Sequence, residues 1–179
     1  MDQTSQRLAF WLVPAAREQE FFDSLVLDLA IRFDAPIFEP HLTLCDGGLE
    51  EAAARKVLAE FPASPTYELD VGSIQVCARF TKTLFVRFRL SDELNQLRQS
   101  VGEALRLPKS ADFDPHLSLL YKEMADEKKN ELRETITLPF ERVSFTGLAL
   151  IAHPVKITTR ADVEAWRVLA RRSLTESSR

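Results

Sequence analysis

Two seven-residue stretches of this chain match position by position. FEPHLTL runs from Phe38 to Leu44 and FDPHLSL from Phe113 to Leu119. Each reads Phe, acid, Pro, His, Leu, hydroxyl, Leu. The chain holds 3 histidines, and two of them, His41 and His116, occupy the same place in the two copies. Imidazole titrates near neutrality, so one copy can hold a proton while the other accepts one. That pairing suits general acid plus general base catalysis. Thr43 and Ser118, two residues further on, can donate hydrogen bonds to an anion lying between the rings. A phosphodiester fits this arrangement. The hydroxyls take its two non-bridging oxygens, and in-line displacement needs a base and an acid on opposite sides of phosphorus. A lone His-x-Thr on a strand carries little meaning; two inside a matching heptad carry much more. Two histidines without nearby carboxylate or thiolate ligands make a poor zinc site, so neither metal nor cofactor is expected.

The heptads need a scaffold that points their polar residues the same way. On a strand, His41 and Thr43 share one face while Leu42 and Leu44 share the other, and His116 and Ser118 oppose Leu117 and Leu119. Pro40 and Pro115 mark where each strand begins. Around them the periodicity predicts a strand at Leu8–Val13 and a helix over Ala15–Phe33, where Phe22, Leu25, Val26, Leu29 and Phe33 form one stripe. A helix follows at Glu50–Phe61, closed by Pro62 and Pro65. Strands are expected at Tyr67–Ala78 and Thr83–Leu90, joined by the short link Arg79-Phe80-Thr81-Lys82. Ser91 is the expected N-cap of a helix reaching Leu105, and Pro108–Asp112 reads as a loop. Asp126 is placed as the cap of a helix to about Glu134, and Phe140–Ala152 reads as a strand. The tail, Val163–Leu174, fits a helix by composition or a strand by alternation. Short links imply largely antiparallel sheets, and one heptad per half of the chain implies two lobes related by a pseudo-twofold. The whole span 1–179 is read as a single bilobal domain.

The bulk numbers agree with a small soluble enzyme. The 179 residues are 45 % apolar and 28 % charged, with net charge −4. That sign disfavours a long nucleic acid, whose binders present a broad basic surface. Only 5 glycines are present, and no Gly-rich phosphate loop or GxGxxG occurs. The opening MDQTSQRLAFWLVP lacks a cationic segment followed by a long apolar run, so no signal peptide is expected. No apolar run has the length of a membrane span. Cys45 and Cys77 read as free thiols in a reducing cytoplasm. A monomer is expected.

At these residues the sequence resembles the two-histidine phosphoesterase superfamily, whose signature is a pair of His-x-Thr/Ser motifs. PHLSLLY (Pro115 to Tyr121) and AFWLVP (Ala9 to Pro14) resemble the cyclic phosphodiesterase family within it, and the similarity runs from about Leu8 to Leu174. The resemblance implies an α+β bilobal fold, with two antiparallel sheets around a central cleft and helices outside. It implies metal-independent opening of small cyclic phosphates, either nucleoside 2′,3′-cyclic phosphates or ADP-ribose 1″,2″-cyclic phosphate. It makes His41 and His116 the catalytic pair and Thr43 and Ser118 the phosphate holders. The family pattern has His116 activate water and His41 protonate the leaving alkoxide, giving a 2′-phosphate. Trp11 and Tyr121 match aromatic positions lining the pocket, and the tail becomes a strand. The extra cysteines of plant-type members are absent here.

Several side chains keep two readings. Trp11 is core or site. Tyr121 lies at odd distance from Ser118, so it reaches the cleft only past a bend or bulge. Phe85 shares a strand face with Arg87 and is a third stacking candidate; Arg87 meets a phosphate or stands in a surface ion pair. His153 and Trp166 read as structural. Two rival functions remain: RNA-end processing, by opening terminal cyclic phosphates or joining 2′,5′ ends, and a non-catalytic module that holds a cyclic nucleotide.

Overall fold

The computed structural model describes residues 6–62, 66–108 and 112–175. Pro65 and the middle of the expected 108–112 loop lie outside these. The elements run β1 (Gln6–Pro14), α1 (Ala16–Phe33), β2 (Leu42–Gly47), α2 (Glu51–Glu60), β3 (Tyr67–Val76), β4 (Leu84–Phe88), α3 (Asp92–Ala104), β5 (His116–Leu120), α4 (Asp126–Thr135), β6 (Arg142–Pro154), α5 (Arg160–Glu164) and β7 (Arg167–Ser173). A 3₁₀ turn, Phe80–Lys82, links β3 to β4. The α+β class and the antiparallel strands are as the sequence implied.

Alternation along each strand decides which residues make the core and which make the cleft. Leu8, Phe10 and Leu12 of β1 enter the main core with Phe22 and Leu29 of α1. Ala9 and Trp11 turn to the opposite face and pack with Ala149 and Ile151 of β6. Leu42, Leu44, Leu117 and Leu119 from the two heptads all join the main core, at 2 % exposure or less. The apolar positions of the heptads therefore hold the sheet to its helices and leave the polar positions on the other face.

The sheet order is β1-β2-β5-β4-β3-β6-β7, every pairing antiparallel, and β1 also pairs with β6. The two expected sheets are thus halves of one hydrogen-bonded sheet. They share β6, whose first residues pair with β3 and whose later residues lie between β1 and β7. The other join is a single pair, Leu42 with Leu117. These are equivalent positions in the two heptads, and antiparallel pairing of equivalent residues is what a local twofold produces. The ambiguous tail, Val163–Leu174, is mainly a strand: β7 pairs with β6, and Val163 and Glu164 end α5, a short helix with a Thr159–Asp162 capping box. Asp126 is the first residue of α4 rather than its cap, which is Ala125 with no side-chain hydrogen bond. Ser91 caps α3 as expected, accepting from the Leu94 N–H at 3.2 Å.

β3 changes register around Gly72. A Cβ on Gly72 would stand 3.0 Å from the Arg87 carbonyl oxygen, so this position needs glycine for close backbone approach. Arg87 pairs with His116 across β4 and β5. Gly72→Ala should lose about 1–3 kcal/mol of stability in urea unfolding and should also slow any reaction that depends on His116. Unchanged stability would show that β3 shifts freely there.

Candidate active site

Each heptad builds the same small device. The residue before a proline is held in extended conformation, which sets the direction of its carbonyl. Nδ1 of His41 lies 2.6 Å from the Glu39 carbonyl oxygen, and Nδ1 of His116 lies 2.7 Å from that of Asp114. A carbonyl only accepts, so Nδ1 carries the proton in both rings and Nε2 is left as the working nitrogen. The acids are anchored in turn. Arg171 of β7 grips Glu39 through two bonds of 2.7 and 2.6 Å. Asp114 is held by Lys82 and by Arg87, the latter at 2.5 Å. Arg87 is therefore committed to Asp114 and fills the surface-ion-pair reading, not the phosphate one.

The seam brings the two devices together. Extending the Leu42–Leu117 register by one residue sets His41 across from Ser118 and Thr43 across from His116, all on one face. One cleft is lined by His41, Thr43, His116 and Ser118 together with Trp11 and Tyr121. The six residues of the expected catalytic, phosphate-holding and pocket-lining positions therefore lie together. Phe85 does not join them. It is 3 % exposed, stands edge-on to His116 with ring centres 5.4 Å apart, and has the Lys82 ammonium over its face at 4.3 Å. Its place is behind the His116 ring, which corrects the stacking role expected for it.

The aromatic residues surround His41. Trp11 lies flat against its ring at 3.5 Å and 8°, and Trp166 meets it edge-on at 5.9 Å. Tyr121 is stacked on Phe38 at 3.8 Å. One face of Trp11 and one of Tyr121 are thus occupied within the protein. Trp166, expected as core, lines the cleft instead. Its indole N–H is buried and has no acceptor among the described residues.

Two bulges explain the residues that strict alternation misplaces. On β2, Phe10 pairs with Cys45 and Trp11 with Thr43, so Leu44 is the extra residue. On β5, Leu84 pairs with Leu120 and Phe85 with Ser118, so Leu119 is the extra one. The bulges occupy equivalent places in the two heptads. Each turns the fifth residue after its histidine into the cleft: Tyr121 in one copy, Asp46 in the other. The bulge required for Tyr121 is therefore present, and its twin delivers an acid that the sequence reading passed over. His153 also lines the cleft, its Nε2 3.4 Å from Oδ1 of Asp46. An apolar strand ending in His-Pro gave no sign of this, because its partner is set by the β2 bulge.

Burial governs the electrostatics. It pushes the pKa of His41 down to about 3, opposed by the Glu39 carbonyl and aided by the nearby His116 and His153. His116 is also lowered, first by burial and then by the positive charges of Lys82 and Arg79, against the Asp114 carbonyl and carboxylate. Burial likewise raises the Tyr121 phenol far above its ordinary value, so it stays protonated. Cys45 is pushed up to about 12, mainly by burial, and is an unreactive thiol. Among the described residues no group of three or more His, Cys, Asp or Glu is arranged to hold a metal. No helix among them is long and apolar enough to cross a membrane.

A joined antiparallel sheet presenting two His-x-hydroxyl strands to one cleft defines a two-histidine phosphoesterase. The chain matches the model of the 2′-5′ RNA ligase superfamily over residues 17–156 and belongs to that superfamily. It is similar to the cyclic phosphodiesterase of Arabidopsis thaliana, with 24% identity over 165 residues, covering 89% of this chain and 91% of that protein. Among solved structures, Escherichia coli LigT complexed with 3′-AMP superposes with a TM-score of 0.57 at 18% identity, covering 96% of this chain and 99% of that one. TT0787 of Thermus thermophilus superposes with a TM-score of 0.56 at 15% identity, covering 94% and 97%. These neighbours share the fold.

The depressed pKa of His41 couples the site to stability. Below the ordinary value of 6.5 an unfolded histidine takes a proton, while native His41 does not until about pH 3. The unfolded state gains protons first, so stability falls as pH drops through that window, by up to about 1.4 kcal/mol per pH unit. His41→Gln should flatten the loss of urea midpoint between about pH 6 and pH 4. An unchanged slope would mean that His41 titrates normally in the folded protein.

Proposed function

We propose that this protein is a metal-independent phosphodiesterase that hydrolyses a small cyclic phosphate, a nucleoside 2′,3′-cyclic phosphate or ADP-ribose 1″,2″-cyclic phosphate. The observation that carries the reading is the duplicated device: two imidazoles, each with Nδ1 bound to its own i−2 carbonyl, leave two Nε2 atoms in one cleft. The cleft volume of about 240 Å³ suits a mononucleotide better than a polymer. The name of the Arabidopsis relative supports the cyclic substrate.

The ring phosphate sits between the histidines, its non-bridging oxygens taking hydrogen bonds from Thr43 and Ser118. Ser118 Oγ now donates to the Thr81 carbonyl at 3.0 Å, so substrate draws that proton away from the turn. One Nε2 takes a proton from water as the water oxygen bonds to phosphorus. The P–O bond to the ribose breaks on the opposite side, and the other Nε2 gives its proton to the leaving oxygen. The Trp11 face against His41 stabilises that ring whenever it becomes imidazolium.

The resemblance assigns the base to His116 and the acid to His41. Burial favours the exchange of roles as a second reading: it keeps His41 unprotonated in the free protein, and to act as acid that ring needs the bound phosphate anion to raise its pKa. The product isomer separates the two.

With 2′,3′-cyclic AMP in EDTA, His41→Ala and His116→Ala should each lose about 10²–10⁴ in kcat, and Thr43→Ala and Ser118→Ala less. Near-normal turnover by either histidine variant, or a metal requirement, would sink the mechanism. Both imidazoles have pKa values below 6.5 in the free protein, so kcat/KM should peak on the acid side of that value. Arg79→Gln removes a positive charge beside His116, raises its pKa and should move the alkaline limb upward. A limb that stays in place would show that His116 does not set it.

A further inference from the structure

The twin bulges give the cleft two unlike ends. Beside Tyr121 stand Phe38, Phe80 and Trp166, an aromatic cluster. Beside Asp46 stand Arg7 and His153, an ionic one. Asp46 pairs with Ala9 on β1, two residues from Trp11, which pairs with Thr43. At strand spacing that places the Asp46 row about 7 Å from the phosphate-holding row.

The ionic end is built, not incidental. His153 has a side chain 7 % exposed; its Nδ1 donates to the Pro154 carbonyl at 2.8 Å and its Nε2 faces Asp46. Arg7 Nε donates to the same Asp46 oxygen at 2.8 Å, and its terminal nitrogen to the Asp46 carbonyl. Both side-chain contacts use Oδ1. Burial pushes the Asp46 carboxyl upward, but His153 and Arg7 outweigh it and keep the group ionised. The small side chain of Ala9 lines the same cleft. An ionised carboxylate beside a site for an anion repels a second anion and accepts from a neutral donor.

Ribose chemistry says which donor arrives there. In a nucleoside 2′,3′-cyclic phosphate the base on C1′ and the CH₂OH on C4′ leave the ring in opposite directions, with the phosphate between. A base placed against Tyr121 and Trp166 sends the 5′ end toward Asp46. The geometry points to Asp46 as the residue that accepts a hydrogen bond from a free 5′-hydroxyl and excludes a phosphate at that position. This inference rests on the phosphate-binding role proposed for the cleft. Within that reading it selects nucleoside 2′,3′-cyclic phosphates with a free 5′-hydroxyl over those that carry a 5′-phosphate.

Calorimetric binding of adenosine 2′-monophosphate and adenosine 2′,5′-bisphosphate tests it without relying on turnover. The native protein should bind the monophosphate at least ten times more tightly. Asp46→Asn should narrow the gap to threefold or less. Arg7→Gln removes a neighbouring cation, leaves the carboxylate, and should widen the gap. Opposite shifts from two folded variants are an outcome that general loosening of the cleft does not give. Equal losses for both ligands in Asp46→Asn, or a native preference for the bisphosphate, would overturn the assignment. So would failure of both ligands to bind, which would remove the phosphate site as well. A protein that shows the preference but opens no cyclic phosphate keeps the subsite and loses the catalytic reading.

Discussion

The candidate site depends on one short hydrogen bond made twice: histidine Nδ1 to the carbonyl two residues earlier. It fixes the tautomer, aims Nε2, and allows only small rotation of the ring. The bond exists because proline stands between its two partners and keeps the preceding acid extended. The acid side chains then hold that segment down through Arg171 in one copy and through Lys82 and Arg87 in the other. The ion pairs are partly exposed and contribute little to stability by themselves. Their value is positional, because a shift of the carbonyl is passed directly to an imidazole.

The sheet then has one task, to bring two such strands edge to edge. It does so with a single residue pair, Leu42 and Leu117, and otherwise lets β2 and β5 diverge. A longer ladder would close the strands over the cleft. The continuous support comes from elsewhere. β6 runs through both halves, and the leucines of both heptads are buried in one core. Rigidity is supplied behind the cleft and openness in front of it.

How much of this the sequence disclosed follows the same division. Alternation placed the histidines and hydroxyls on one face and the leucines on the other, because both heptads are regular strands as far as the hydroxyl. It fails beyond Leu44 and Leu119, which are bulged. Bulges leave no composition signal in a run of apolar residues. Tyr121 was recovered through the family pattern, while Asp46 had no such help. His153 and Trp166 were passed over for a related reason. Each reaches the cleft through pairing or packing with strands far away in the chain, which a lone histidine or tryptophan does not reveal. Arg87 was left open between two readings because its strand face was legible and its partner Asp114 was not. The tail was ambiguous since the end of a short helix and a strand of seven residues share one stretch.

The stacking of Trp11 on His41 has an optical consequence. The chain contains 2 tryptophans, and both Trp11 and Trp166 line the cleft within ring contact of His41. Imidazolium quenches an adjacent indole and neutral imidazole does so much less. The tryptophan emission of this chain therefore originates beside one imidazole ring of the cleft. Protonation of that ring should thus dim the emission of the native, unlabelled protein.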